Sequence, residues 1–348
     1  MSDGMVFVLG AGFTRAFVPQ APLLVDDYGI PCLLKRFTSF PHAAAILEDA
    51  LAERPDNRVD LERLMTRLSG MPYDAIDARR ELALLETALR QSLVKRLREA
   101  KNAEVDWEKL RQFALLVLKK EASIVTFNYD DVLDKALWNA SGMLPKPGHW
   151  HPDGGYGFYC RPSRVCVANS PGFMDEIRSL VLKLHGSINW RSRLGEGTSR
   201  GPAGILHHED WFDEPEPFHR PADRIESHLE PDPFIVPPVL VKADLAMHPV
   251  LSVVWKLAYE RLTAATTVVF IGYSLPATDL ASRILFGETL ANRADLKVRI
   301  VSIARDSAEE KEVKDAYRSL FKGLSDTEFD FSGAKAWIES QLGSEATV

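Results

Sequence analysis

The sequence lacks any apolar run approaching the 18 or more consecutive residues that a membrane-spanning helix requires. It also lacks a basic amino-terminal segment followed by a long apolar stretch and a small-residue cleavage site, so no signal peptide is expected. Only three cysteines occur in 348 residues, which argues against a disulfide framework and predicts free thiols. These absences predict a cytoplasmic protein with no membrane partner.

An excess of positive charge is missing as well. The 42 Lys and Arg residues are outnumbered by 49 Asp and Glu residues, which gives a formal net charge of −7. Such a balance does not support non-specific binding to phosphate backbones, so no direct nucleic-acid binding is expected. The chain does have 46% hydrophobic residues, which is enough to bury a core without disulfides or a structural metal.

Short apolar runs alternate with segments of helical periodicity. Runs that are typical of buried parallel strands cover residues 5–9, 123–127, 180–184, 234–236, 267–271 and 296–303. Helical periodicity covers residues 42–53, 61–68, 74–101, 107–119, 132–140, 249–263, 279–292 and 307–321. This order predicts an α/β fold with a Rossmann-like, doubly wound parallel sheet.

Two segments interrupt the alternation. Residues 37–120 read almost entirely as helix, which is too long for one crossover and predicts a helical insertion. Residues 142–233 are mostly aperiodic and rich in Gly, Pro, His and aromatic residues, which predicts a loop-rich lid region. With no other boundary in view, residues 1–348 are expected to form one catalytic domain.

A glycine turn follows the first strand. Gly10 and Gly12 would let main-chain N–H groups approach a diphosphate where a side chain would block them. Only half of the dinucleotide fingerprint is present, because Arg15 replaces the third glycine and no acidic residue ends a second strand about 20 residues further on. The alternative is that the glycines serve only the geometry of a strand-to-helix turn.

An amide and two carboxylates end the second strand. Side chains at strand ends meet ligands in open α/β sheets, so Asn128 is expected to hold a ribose hydroxyl or a water. Asp130 or Asp131 alternatively caps the helix that begins near Val132, and for one of the two that role is favoured. Asn128 lies too early in the chain for capping.

Two further strand ends carry polar groups. His185 has a side chain suited to proton transfer near neutral pH, although a histidine at a turn also serves structure alone. Gly272 and Ser274 form a second glycine turn with a hydroxyl, suited to a ribose or phosphate edge. Thr278 or Asp279 equally reads as a helix cap in the same segment.

Taken in order, Gly-Ala-Gly-Phe-Thr, Thr-Phe-Asn-Tyr-Asp, Leu-His-Gly-Ser and Gly-Tyr-Ser-Leu-Pro-x-x-Asp resemble the sirtuin-like family, specifically its bacterial NAD-consuming branch. The resemblance runs from about residue 5 to about residue 303 and includes Val59-Asp60-Leu61-Glu62. It implies that Asn128 and Asp130 line the nicotinamide-ribose pocket and that His185 is the catalytic histidine. The implied NAD contacts are Gly10, Ala11, Gly12, Phe13 and Thr14, with Gly272 and Ser274 on the adenosine half.

The chain departs from the protein-deacylating sirtuins. It lacks their two Cys-x-x-Cys pairs, because five residues separate Cys160 from Cys166 and no second pair exists, so no metal is expected. A substitute site formed by these cysteines with His149 and His151 matches no common zinc spacing. The last strand also lacks the asparagine that sirtuins use near adenosine, so the adenine-side contacts stay open.

The resemblance implies an NAD glycohydrolase of antiphage defence, with NAD as substrate, that works as a homo-oligomer or under a separately encoded ring-forming ATPase. The departing pyridinium leaves as a neutral molecule, so no general acid is needed and paired carboxylates are not required. Asn128 would position a water or the ribose, His185 would remove a proton, and Asp130 would hold the ribose or steady the histidine. The alternatives are ADP-ribosyl or acyl transfer on a protein and a non-catalytic NAD or ADP-ribose sensor.

Overall fold

The structure is a computed structural model. It describes residues 4–53, 56–70, 76–142, 150–158, 161–162, 178–192, 205–207, 233–238, 249–276 and 279–345. Within these ranges, no helix is both long enough and apolar enough to cross a membrane.

The elements alternate along much of the chain. The strands are β1 (Met5–Leu9), β2 (Val25–Asp26), β3 (Val59–Asp60), β4 (Ser123–Thr126), β5 (Arg161–Pro162), β6 (Val181–Lys183), β7 (Trp190–Ser192), β8 (Ile205–His207), β9 (Thr267–Ile271), β10 (Lys297–Val301) and β11 (Phe329–Asp330). The helices are α1 (Ala11–Phe17), α2 (Ile30–Arg36), α3 (Pro41–Ala52), α4 (Leu61–Gly70), α5 (Ile76–Lys101), α6 (Trp107–Lys119), α7 (Val132–Ser141), α8 (Pro152–Gly155), α9 (Pro249–Ala264), α10 (Leu280–Thr289), α11 (Ser307–Leu320) and α12 (Ala334–Glu345).

The main sheet has six parallel strands in the order β11-β10-β9-β1-β4-β6. From β1 the chain builds one side of the sheet through β4 and β6 and later crosses to β9, β10 and β11 on the other side. The predicted α/β class with a doubly wound parallel sheet is therefore confirmed. Residues 234–236, predicted as a strand, form only a single antiparallel bridge between Ile235 and Gly186.

Both faces of the sheet are covered by helices. Phe7 is in register with Val269, so Phe270 points to the opposite face, because successive side chains of a strand alternate. Phe7 packs against Phe113 of α6 and Trp337 of α12. Phe270 packs against α10 and α11 through two further aromatic rings, those of Phe286 and Tyr317. The central strands β1 and β9 can be almost entirely apolar because neither face meets water.

A second hydrophobic core stands beside the sheet. It is formed by buried side chains between residues 28 and 97, on α2 to α5, together with Ile188 and Ile235. Helices α3, α4 and α5 lie in the predicted helical insertion at 37–120, whereas α2 ends just before it. Helix α6, also in that range, packs Leu110 and Phe113 into the core of the sheet instead. The domain boundaries remain a proposal, and most of the predicted lid at 142–233 lies outside the described residues, while Trp150 and Tyr156 are buried in the main core.

Gly272 offers a test of the contact between the turns after β1 and β9. It has a φ of +60°, and a Cβ there would lie 2.1 Å from the Phe13 nitrogen. We expect Gly272→Ala to lower the free energy of unfolding by about 3–5 kcal/mol, because it adds a main-chain clash to left-handed strain.

Gly323→Ala is the matched control, because Gly323 has a φ of +92° with open space around it. Its expected cost is about 1–2 kcal/mol of strain alone. Urea unfolding of both variants measures the difference, and equal losses would contradict the proposed clash.

Candidate active site

A cavity of about 820 Å³ lies at the carboxyl ends of the parallel strands. Residues that follow five strands line it: Gly10, Asn128, His185, Tyr273 and Ser302. This edge is where the chain order reverses around β1, and open α/β sheets bind their ligands at such a switch point. The volume lies within the range of roughly 300–1,000 Å³ that small-molecule sites occupy.

The two glycine turns touch each other at the floor of this cavity. Gly12 donates its main-chain N–H to the Gly272 carbonyl at 2.9 Å. A Cβ on Gly10 would lie 2.6 Å from the Tyr273 Cα, and one on Gly12 would lie 2.9 Å from the Gly272 oxygen. Glycine is thus required by the close approach of two main chains, which is the geometric alternative raised above, while the same turns also line the cavity.

A hydrogen-bond chain runs from Asn128 through Thr14 to Asp130. Asn128 Nδ2 donates to Thr14 Oγ1 at 3.0 Å and to the Gly10 carbonyl at 2.8 Å. Thr14 Oγ1 in turn donates to Asp130 Oδ2 at 2.7 Å. A carbonyl oxygen only accepts, so the Gly10 contact fixes which end of the Asn128 amide is the nitrogen. Within the described ranges no group donates to the amide oxygen of this cavity-lining residue, so it is open to a ligand or a water.

Asp130 is buried and both of its carboxylate oxygens are engaged. Oδ2 accepts from Thr14, and Oδ1 accepts from the main-chain N–H of Val132 at 3.2 Å. Burial raises the pKa of the Asp130 carboxyl above its ordinary value, while Lys183 and the Thr14 hydroxyl act in the opposite direction. The contacts place Asp130 as the group that orients Thr14. Its expected hold on the ribose or the histidine stays a prediction.

His185 lies on the wall next to Asn128. It is only 5% exposed, and its ring meets Phe127 edge-on with the centroids 5.3 Å apart. Its carbonyl accepts the Val236 N–H at 2.8 Å, so the segment at 233–238 holds the turn in place. The imidazole therefore has a defined position on the cavity wall, on the strand next to the one that precedes Asn128.

The other end of the cavity is formed after β9 and β10. Gly272 and Ser274 line it, and the Tyr273 ring stacks on Phe127 with centroids 4.6 Å apart. Ser302 and Arg305 also line it, and sequence reasoning did not single out either residue. A hydroxyl and a guanidinium directly after a strand of the predicted sheet were the available signal.

Residues on either side of β2 and on helix α5 supply the opposite wall. These residues are mostly apolar and include Leu24, Tyr28, Leu93 and Leu97. Glu62, the last residue of the Val-Asp-Leu-Glu motif, is a buried carboxylate on the same wall. The cavity is therefore enclosed between the sheet and the second core.

All predicted site residues except one line this cavity. Those that do are Gly10, Ala11, Gly12, Thr14, Asn128, Asp130, His185, Gly272 and Ser274. Phe13 instead places its ring in the core against Phe17 and Phe113, with centroids 4.9 Å away in both pairs. The spacing of Phe13 and Phe17, four residues apart on one helix face, was the signal for that placement.

In the described part of the chain, no group of three or more His, Cys, Asp or Glu side chains is placed to hold a metal ion. Of the four residues considered for a substitute metal site, His151 is described and its ring packs edge-on against Trp138, with centroids 4.5 Å apart. The other three, His149, Cys160 and Cys166, lie outside the described residues.

Comparison with protein-family models gives no match, and none of the curated proteins matches significantly. Seven chains of solved structures match. One of them is described as a crystal structure of a Sir2 homolog in complex with NAD. This chain is similar to it at 15% identity with a TM-score of 0.40, over 91% of this chain and 90% of that one. The chemistry proposed below rests on the residues of the cavity.

An ion pair ties α5 to the loop that carries Asn128. Lys101 Nζ lies 2.9 Å from Asp131 Oδ2, with the two side chains 12% and 1% exposed. We expect Lys101→Met to lower the free energy of unfolding by about 3 kcal/mol, because it leaves a buried carboxylate without its cation. Urea unfolding measures this loss, and Lys101→Met/Asp131→Asn should recover most of it.

The matched control is the exposed pair of Lys256 with Glu260, in which the side chains are 77% and 53% exposed. Lys256→Met should change the free energy of unfolding by no more than about 0.5 kcal/mol. A Lys101→Met variant as stable as this control would rule out a structural tie between α5 and the loop.

Proposed function

We propose that this protein is an NAD glycohydrolase, which cleaves the nicotinamide–ribose bond and releases nicotinamide and ADP-ribose. The observation that carries the proposal is that Asn128 and His185 line one cavity and follow the adjacent parallel strands β4 and β6 at the carboxyl edge of the sheet. An acceptor amide and an imidazole are together sufficient for this reaction, because nicotinamide departs without needing a proton.

The residues divide the work by position. The free amide oxygen of Asn128 accepts a hydrogen bond from a water or a ribose hydroxyl and so orients it for attack. His185 takes a proton from that hydroxyl or water. Asp130 acts at one remove, since its carboxylate holds Thr14 and Thr14 holds the amide.

The cavity also suits the shape of a dinucleotide. Its lining runs from Asn128 and His185, past the touching glycine turns, to Ser274 and Ser302 after β9 and β10. The proposal places the nicotinamide ribose at the first end and the adenosine half at the second. Apolar side chains of helix α5, such as Leu93 and Leu97, exclude water from the opposite wall.

The sirtuin-like motif order extends the proposal to a biological setting. We propose a bacterial antiphage effector that depletes NAD in the cytoplasm, kept inactive by its homo-oligomeric state or by a separately encoded ring-forming ATPase. ADP-ribosyl or acyl transfer on a protein, and non-catalytic sensing of NAD or ADP-ribose, are the competing functions.

The deciding experiment incubates the purified protein with NAD, with and without an acylated peptide, and measures free nicotinamide and ADP-ribose. We expect release of both products without peptide. Turnover only with peptide would establish transfer instead, and a thermal shift without turnover, in the presence of candidate partners, would establish sensing.

Removing either proposed catalytic side chain should abolish the reaction. We expect Asn128→Ala and His185→Ala each to lower kcat for nicotinamide release by about 100-fold or more, the scale of a positioned acid–base group. Asn102→Ala and His42→Ala, which change the same residue types outside the cavity, are the controls and should keep wild-type rates. Full activity in a folded Asn128 or His185 variant would exclude that residue.

The orienting chain has its own test at Thr14. Thr14→Val removes the hydroxyl that links Asn128 to Asp130 at nearly constant volume. We expect kcat to fall about 10-fold, which corresponds to about 1.4 kcal/mol of transition-state stabilisation, with KM little changed. Thr14→Ser keeps the hydroxyl and should stay within about threefold of the wild-type kcat; equal losses in the two variants would contradict the chain.

A further inference from the structure

Lys183 is a lysine buried in the middle of the fold. It is the last residue of β6, two positions before His185, and is 1% exposed. Lysine is almost never fully buried unless it is paired, since its ammonium loses its hydration. The contacts of this side chain therefore indicate what it does.

The Lys183 ammonium joins two elements that surround the candidate site. It donates to Asp134 Oδ2 in the first turn of α7 at 2.8 Å. It also donates to the main-chain carbonyl of Asp130. The neighbouring carbonyl, that of Tyr129, accepts the Ile188 N–H at 2.9 Å, so the strand end that carries His185 holds the Asn128 loop at two successive residues.

The same carboxylate oxygen of Asp134 accepts a second hydrogen bond. This Oδ2 accepts the Tyr156 hydroxyl at 2.9 Å, and that hydroxyl accepts Asn189 Nδ2 at 3.1 Å. Asp134 thus holds the ammonium in one position, and the ammonium in turn holds the loop through its hydrogen bond to the Asp130 carbonyl. A buried ion pair is on its own weak evidence for stability, because apolar residues of similar volume often replace one without loss.

We propose that Lys183 is a positioning residue that sets the Asn128 amide relative to His185. Its ammonium fixes the main chain at Asp130, whose carboxylate orients Thr14, which in turn orients Asn128. The inference rests on the proposed function for its kinetic test, but it also predicts a property of Asp130 that needs no turnover.

That property is the protonation of Asp130. The charged groups that act on it are Lys183, which pairs with Asp134, and Asp131, which pairs with Lys101. Both oxygens of Asp130 accept hydrogen bonds, so a proton on Oδ2 competes with the Thr14 hydroxyl and a proton on Oδ1 competes with the Val132 N–H. Burial already raises the pKa of Asp130 and the Lys183 charge opposes that rise, so removing the charge raises it further.

The test uses Lys183→Met together with Asp134→Asn, which removes both charges of the pair and leaves an amide oxygen for Tyr156 to bond. If Lys183 serves only to neutralise Asp134, this double variant has wild-type kinetics. We expect instead a stable protein whose kcat for nicotinamide release falls about 10-fold or more with KM within about threefold. The acid limb of its pH–kcat profile should move upward by about one unit, since Asp130 must be ionised to keep the chain.

Carboxyl ¹³C NMR of protein labelled at aspartate, with Asp130→Asn to assign the signal, follows Asp130 without substrate. An upward shift of its titration by about one unit in the double variant supports the inference even if the wild-type protein releases no nicotinamide, a result that would reject the proposed function alone. An unmoved Asp130 titration, or wild-type kcat and pH profile in the double variant, overturns the inference. If the double variant does not fold, Lys183→Met alone gives the same NMR readout and is judged by the same outcomes.

Discussion

The candidate site depends on the burial of one carboxylate. Asp130 lies under the cavity with both oxygens engaged, and through Thr14 it determines which way the Asn128 amide points. A buried carboxylate is tolerated only when donors and positive charges surround it. The main-chain bond at Val132, the hydroxyl of Thr14 and the nearby Lys183 meet that requirement. The polar groups beneath the cavity are thus arranged around a charge that the fold must keep satisfied.

The second core gives the site its enclosure. An open sheet edge alone offers a crevice exposed to water on one side. Here α4 and α5 bring Glu62, Leu93 and Leu97 against that side. Lys101, at the end of α5, forms an ion pair with Asp131, three residues after Asn128. This ion pair connects the wall to the loop that carries Asn128. A wall tied to the Asn128 loop keeps the distance between them fixed.

Much of this arrangement could be predicted from the sequence, because parallel strands place their carboxyl ends at one edge. Asn128, His185 and Gly272 are far apart in the chain, but each follows a buried, mostly apolar strand, and they line one cavity. The wall formed by α4 and α5 could not be predicted, since nothing in a helical pattern states which face meets the sheet. Strand β11 has only two residues, which is too few for a strand pattern to be recognised in the sequence.

The position of Lys183 in the sequence already requires buried partners for its ammonium. The apolar run that contains it reads as a strand buried on both faces, so a lysine within it has no route to water and must find partners inside. Those partners had to come from neighbouring elements, and α7, which follows β4 in sequence and packs beside the strand end, supplies Asp134. The lysine binds the main-chain carbonyl of Asp130, and a main-chain contact of this kind leaves no signal in the residue type. A charged residue in a strand that is buried on both faces therefore indicates that hydrogen-bond acceptors lie around it. Here one of those acceptors, the Asp130 carbonyl, belongs to the loop that carries Asn128.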